Sequence, residues 1–179
     1  ILPHLKKEVE WMLEYFNKKP VYAPNFFGKG RLDIYGYIKY FTGERERSVK
    51  RGLELIGERA LRTLLLVNLK TEEVLKAVNT LLEYASKKKY YRGSCITSLL
   101  LTLSLIPEAR EKVNEIVNLI REKRKGDGSW KGLPYWATLH ALVEAGAIEE
   151  VEYALQKERR VLEPEQQIIL EEAKKLVKG

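Results

Sequence analysis

The chain has 179 residues, enough for one domain with a real core or for a short array of repeats. Its apolar fraction of 45% is that of a soluble globular protein, and its formal net charge of +7 permits nucleic acid, anionic lipid or phosphate partners without requiring one. Cys95 is the only cysteine, which excludes an intramolecular disulfide, argues against a cysteine zinc site and points to a reducing, cytoplasmic compartment.

The longest apolar run, Ile96 to Ile106, is interrupted by Thr97, Ser98, Thr102 and Ser104. It falls well short of the roughly 20 residues that a membrane span needs. No signal-peptide pattern is evident. Glu supplies almost all the acid, since Asp33 and Asp127 are the only aspartates, and Gln is scarce beside Lys, Arg and Glu. That bias resembles a hyperthermophile composition.

Helical periodicity runs through the whole chain. A first helix is expected over 5–19, with Val9, Met12, Leu13 and Phe16 on one face. A loop over 20–31 carries Tyr22, Phe26 and Phe27. Asp33 reads as the N-cap of a short helix through Ile34, Tyr37, Ile38 and Phe41, closed by Gly43. Residues 47–57 and 58–69 read as two helices or one bent helix. Thr71 caps the next, with Glu72 and Glu73 in its first turn and a stripe of Val74, Val78, Leu81 and Ala85. Ser94 caps a helix over 95–106, which Pro107 ends. A helix over 108–125 carries Val113, Ile116, Val117 and Ile120 on one face. Pro134 starts a very apolar helix that stops before Gly146, and helices over 149–160 and 165–178 complete the chain.

Two kinds of helix alternate. The amphipathic ones (5–19, 72–87, 108–125) precede ones that are apolar nearly all round (34–41, 95–106, 134–145), and the second kind must be buried on most sides. Val78-Asn79 to Thr97 parallels Val117-Asn118 to Thr138 at an offset of about 40 residues, a period at which helical hairpins repeat. The expected fold is therefore all-α: helical-hairpin repeats forming an open α/α superhelix or partial α/α toroid, as a single domain over 1–179. An irregular helical bundle with chance internal similarity is the alternative.

The most distinctive stretch is Gly126-Asp-Gly-Ser-Trp130 followed by Pro134-Tyr-Trp-Ala-Thr-Leu-His-Ala-Leu142. A glycine-rich turn holding a Trp, leading into a helix with Thr138-Leu-His-Ala-Leu142, resembles the repeat of the terpenoid cyclase and protein prenyltransferase superfamily. Tyr90–Ile106 and Phe26–Gly43 resemble it more distantly. The resemblance implies an α/α toroid and, through it, an isoprenoid diphosphate as one class of ligand. Neither the cyclase Asp-rich acid motif nor the prenyltransferase zinc set has a counterpart in this chain, and 179 residues are too few for a full double ring of helices.

Each amphipathic helix ends in a basic cluster followed by aromatics. Lys18-Lys19 precede Tyr22, Phe26 and Phe27. Lys87, Lys88, Lys89 and Arg92 surround Tyr90 and Tyr91. Arg121 to Lys125, with Arg124, precede Trp130, Lys131, Tyr135 and Trp136. Stacked hairpins would bring these to one rim, together with the N-termini of the buried helices, which favour anions. The candidate binding residues are thus Lys87, Lys88, Arg92, Arg124, Lys125, Asp127, Trp130, Lys131, Tyr135, Trp136 and His140. The same residues also have a structural reading. Cations at helix C-termini complement the helix dipole, aromatics plug gaps between repeats, Asp127 suits a Gly-Asp-Gly turn, and His140 suits a hydrogen-bonded place in a buried helix. No Ser/His/Asp set, phosphate loop or metal-ligand spacing is present, and no cofactor or metal is called for.

Three functions follow: a non-catalytic helical-repeat protein binding a protein or other macromolecule, a prenyltransferase-like or cyclase-like protein binding an isoprenoid diphosphate in a cavity lined by Ile96, Leu99 and Leu139, and a nucleic-acid binder acting through the basic rim. A homodimer through the Ile1–Phe16 end is a further expectation.

Overall fold

The computed structural model describes residues 38–39, 45–46, 61–86, 95–157, 159–161 and 163–179. Over these the protein is all-α apart from one short strand pair, β1 (Ile38–Lys39) and β2 (Arg45–Glu46), antiparallel with Ile38 opposite Glu46 and Lys39 opposite Arg45. At Ile38 and Lys39 this corrects the helix expected over 34–41, the rest of which lies outside the described residues. Ile38 is β-branched, and such residues favour a pleated strand over a helix. The apolar spacing of Ile34, Tyr37, Ile38 and Phe41 is that of a helix, and at Ile38 residue propensity outweighs it. The helices expected over 5–19 and 47–57 lie outside the described residues, as do Lys87, Lys88 and Arg92.

Residues 61–66 are helical (α1). Asn68 then turns left-handed at φ 54° while Leu69 N donates to Leu64 O and Asn68 N to Leu65 O. This paired closure satisfies carbonyls that the helix end would otherwise leave bare. α2 (Glu72–Ser86) starts where Thr71 predicts: the Val74 amide donates to Thr71 Oγ1 at 3.4 Å. Its stripe buries Val74, Ala77, Leu81 and Ala85.

α3 (Cys95–Leu103) is followed by a 3-10 turn (Pro107–Ala109) and α4 (Arg110–Arg121). Thr102 and Ser104 sit in this apolar stretch by donating their hydroxyls to the carbonyls of Ser98 and Leu100, one turn back. α5 (Tyr135–Glu144) ends as Gly146 predicts. Gly146 takes φ +66°, its amide donates to Val143 O, and the Ala147 amide donates to Leu142 O. α6 (Ile148–Leu155) and α7 (Pro164–Lys178) follow.

α3 packs on α5, and α5 packs on α7. α4 lies against α3, while α6 lies against both α5 and α7. The division follows the composition. Ile96, Leu99, Leu100 and Leu103 of α3 and Leu139, Ala141 and Leu142 of α5 are all buried, as helices with no polar face require. α4 buries only Val113, Ile116 and Ile120, one stripe at helical spacing. Each Leu or Ile so buried stabilises the fold by about 1.5–3 kcal/mol.

Candidate functional site

The Gly126–Trp130 segment folds into a closed loop between α4 and α5. Arg124 and Trp130 pair as an isolated antiparallel bridge. The Lys125 amide donates to Ser129 O at 3.0 Å, and the Lys131 amide to Lys123 O at 2.8 Å. Asp127 closes the tip: its Oδ1 accepts the Ser129 amide at 3.0 Å and also the Ser129 hydroxyl. Those two bonds, the hydroxyl's above all, hold the Asp127 carboxyl below its ordinary range. The Asp is thus a turn former, as its Gly-Asp-Gly setting suggests.

Gly128 is required twice over. Its φ of +74° is a region that L side chains avoid, and a Cβ built there would lie 3.0 Å from Ala154 O. The loop therefore rests directly on the α6 backbone. Tyr153 of α6 pins it. The phenol oxygen accepts the Lys125 and Gly126 amides, both at 2.9 Å, and donates to Ser129 O at 3.0 Å. One hydroxyl thereby gives the Gly126 amide its partner and adds a second contact to the Lys125 amide and the Ser129 carbonyl, which also bond each other.

Trp130 is 2% exposed. Its ring lies 6.0 Å from Tyr135 and 5.9 Å from Tyr153, centroid to centroid. Tyr135 in turn meets Trp136 edge-on at 5.0 Å and donates its hydroxyl to Ala154 O at 3.1 Å. Burial raises the Tyr135 phenol pKa above its ordinary value. The Arg159 guanidinium sits 4.8 Å above the Tyr135 ring and donates to Asp127 O at 2.7 Å. Trp130 packs against Tyr135 of α5 and Tyr153 of α6, and its buried indole N–H has no hydrogen-bond partner among the described residues. The cost of that unmet donor, about 1–3 kcal/mol, is offset by burial of so large a ring.

Arg121 and Arg124 converge on one carboxylate. Glu150, in the first turn of α6, is 0% exposed. It accepts Arg121 Nε at 2.8 Å and, from Arg124, Nε at 3.1 Å and Nη2 at 2.6 Å. Glu149, at the surface, accepts Arg121 Nη2 at 2.6 Å. The Glu150 hydrogen bond, more than any other cause, raises the Arg121 pKa. Arg124 also covers the Tyr153 ring at 4.5 Å.

A second charge cluster lies at the other end of α5. Arg62 of α1 donates to Glu144 Oε2 at 2.9 Å and to the Leu101 carbonyl of α3. His140 Nε2 is 3.6 Å from Glu144 Oε1, one helical turn away. The neighbouring His140 first, and the Arg62 hydrogen bond second, pull the Glu144 carboxyl down to about 2.

Of the residues expected to bind a ligand, the structure therefore brings Arg124, Asp127, Trp130, Tyr135 and Trp136 together, and it engages them with protein groups. Lys125 belongs to the same loop through its backbone, and its side chain is exposed, as is that of Lys131. His140 stands apart, beside Glu144. Tyr153, Glu149, Glu150 and Arg159 complete the loop region and were not among the expected residues. Arg121 and Arg124 are three apart, a spacing that puts both on one side of a helix end. Their acidic partners lie 25 to 29 residues downstream, beyond any local rule.

Among the described residues no group of three or more His, Cys, Asp or Glu side chains is placed to hold a metal ion. No described helix is long and apolar enough to cross a membrane. The chain matches no protein-family model, and neither curated proteins nor solved structures yield a significant match.

Proposed function

We propose that this chain is a helical-hairpin binding scaffold for a macromolecular partner. The observation that carries this reading is the destination of the polar side chains around the 124–130 loop. Arg121, Arg124, Asp127, Tyr153 and Arg159 join the α4–α5 hairpin to the residues that follow it. Hairpins joined in succession make an open α/α array, the arrangement that the toroid resemblance implies, and such arrays offer extended binding surfaces. Leu66 and Leu75 are 60% and 54% exposed on the consecutive helices α1 and α2, and they supply apolar contacts for a protein. The test is affinity capture by the full chain beside the Leu66→Glu/Leu75→Glu double variant. One partner held by the parent at near-stoichiometric level and lost by the variant, with unchanged melting temperature, supports the reading. Capture that is identical for both overturns it.

A second reading, nucleic-acid binding, is favoured by the division of charge. Residues 1–94 carry 19 Lys and Arg against 11 Asp and Glu, a net +8, whereas residues 95–179 carry 13 against 14, a net −1. All of the basic excess thus precedes α3. Anisotropy of a labelled oligonucleotide, with unlabelled acidic peptide as competitor, separates the two readings. Log affinity falling with log salt, steeply enough for several phosphate contacts, selects nucleic acid. A flat dependence eliminates it. Intrinsic fluorescence is a poor substitute, because Trp130 and Trp136 are buried in the loop packing.

The isoprenoid reading stands behind both. Ile96, Leu99 and Leu139, which it needs around a cavity, are core residues only 0–2% exposed. Saturable binding of farnesyl diphosphate well beyond pyrophosphate would restore it.

A further inference from the structure

Asp127-Gly128 is the one Asp-Gly or Asn-Gly pair in the chain. Where glycine follows an aspartate, its amide nitrogen attacks the side-chain carboxyl carbon with little hindrance, because no Cβ crowds the approach. The N–Cγ bond forms and the Cγ–O bond breaks, and the carboxyl oxygen leaves as water. Water then opens the resulting succinimide. Cleavage between the nitrogen and the main-chain carbonyl carbon of Asp127 gives isoaspartate, whose backbone runs through Cβ and Cγ and is longer by a methylene. The reaction needs a carboxyl free to turn onto the Gly128 nitrogen, and a backbone free to lengthen.

The fold opposes both requirements. The Asp127 side chain is 43% exposed, so water reaches it and constraint, rather than burial, decides its fate. Its Oδ1 is held by the Ser129 amide at 3.0 Å and by the Ser129 hydroxyl. The hydroxyl first, and the amide second, favour the ionised carboxyl, which is the poorer electrophile. The Asp127 carbonyl accepts Arg159 Nη2 at 2.7 Å. Gly128 is buried against α6, where even a Cβ would lie 3.0 Å from Ala154 O, so a lengthened backbone displaces it from that seat. The Tyr153 hydroxyl keeps the loop seated through the Lys125 and Gly126 amides.

From this we infer that Asp127-Gly128 is a guarded isoaspartyl modification site: it isomerises only when the 126–130 loop lifts from α6, and the isomerised loop does not seat again. Modification thus records openings of the loop and makes them permanent. The inference is independent of the macromolecule reading above.

The test is ageing of the full chain, folded and in urea, beside Ser129→Ala and Tyr153→Phe. Trypsin cuts after Lys125 and Lys131, and chromatography with electron-transfer fragmentation counts aspartate and isoaspartate in the 126–131 peptide. Each folded rate is divided by the same variant's rate in urea, which removes any intrinsic effect of the substitution. Circular dichroism checks the fold, and Ser129→Ala carries the test alone if Tyr153→Phe unfolds. The folded parent is expected to isomerise on the order of a hundredfold more slowly than in urea, and each variant to lose about tenfold of that protection. In the aged chain, the Lys125 and Gly126 amides should exchange rapidly in the isoaspartyl fraction and slowly in the rest. Equal rates in folded and unfolded parent overturn the guard. Protection unchanged in the folded variants overturns its assignment to Ser129 and Tyr153. Slow amide exchange in the isoaspartyl fraction overturns the failure to seat again.

Discussion

Glu150 and Glu144 are the same residue type, each held by arginine contacts that bridge distant segments, yet they do different work. Glu150 is fully buried and takes three nitrogen donors from Arg121 and Arg124. Glu144 has a side chain 31% exposed and takes one Arg62 donor with His140 alongside. Burial sets the difference. In a dry setting a carboxylate must be fully paired or it destabilises the fold, and its partners become obligatory. At a partly wet edge, water screens each pair and the carboxylate keeps acceptor capacity for other groups. The first arrangement is a joint and the second is a surface that can do something else.

The comparison breaks most sharply at the buried end. Replacing both Arg121 and Arg124 by Met leaves Glu150 without its cations in the α6 contact, and it is expected to cost about 3–5 kcal/mol. The urea midpoint of unfolding reads this directly. A loss under 1 kcal/mol would mean that Glu150 reaches water in the folded state. Next comes the loop that the joint supports. Gly128→Ala brings a Cβ within 3.0 Å of Ala154 O in addition to its positive φ, whereas Gly132 has φ +73° with nothing within 4 Å. Gly132→Ala is expected to cost the backbone penalty alone, about 1–2 kcal/mol, and Gly128→Ala clearly more. Equal costs would show that the loop does not press on α6.

Tyr153→Phe removes the one hydroxyl that serves Lys125, Gly126 and Ser129. The loss expected is about 2 kcal/mol, because the Gly126 amide loses its partner and the Lys125 amide and Ser129 carbonyl keep only each other. Hydrogen exchange at the Lys125 and Gly126 amides should accelerate along with it. Unchanged exchange there would remove Tyr153 from its role as a pin.

The smallest effect belongs to the exposed carboxylate, and it depends on pH. Glu144 has a folded pKa of about 2 against an ordinary value of 4.5, a depression. Its contribution is therefore complete above about pH 4.5 and is lost as pH falls towards 2. Screening at a partly exposed site reduces that contribution to about 1 kcal/mol. Glu144→Gln should thus be less stable than the parent by about that amount at pH 7, and the two should converge by pH 2. A gap that persists at pH 2 would assign the effect to packing rather than to charge.

The helical half of this protein was readable along the chain. Thr71, Pro107, Pro134 and Gly146 mark helix ends that the structure places within a few residues, because caps and breakers act through neighbouring backbone groups. The buried character of α3 and α5 followed from their lack of a polar face. At Ile38 the apolar spacing suits a helix, and only the β-branched and aromatic content of the sequence argues for the strand found there. The 124–130 loop stands out in the sequence and admits both a rim and a structural reading there; in the fold Arg124, Asp127, Trp130 and Tyr135 contact protein groups.

What the sequence determined by itself was local: where helices start and stop, which face of each is apolar, and that Asp127 belongs in a turn. These depend on groups within about four residues of one another. Only the tertiary structure decided what the cations and aromatics of that loop face. The partners of Arg121 and Arg124, the ring beneath Arg159, and the oxygen that pins Lys125 and Gly126 all lie some 20 to 30 residues away in the chain. Hydrogen bonding and charge pairing are short-ranged in space but indifferent to distance along the chain, so helix packing assigns them.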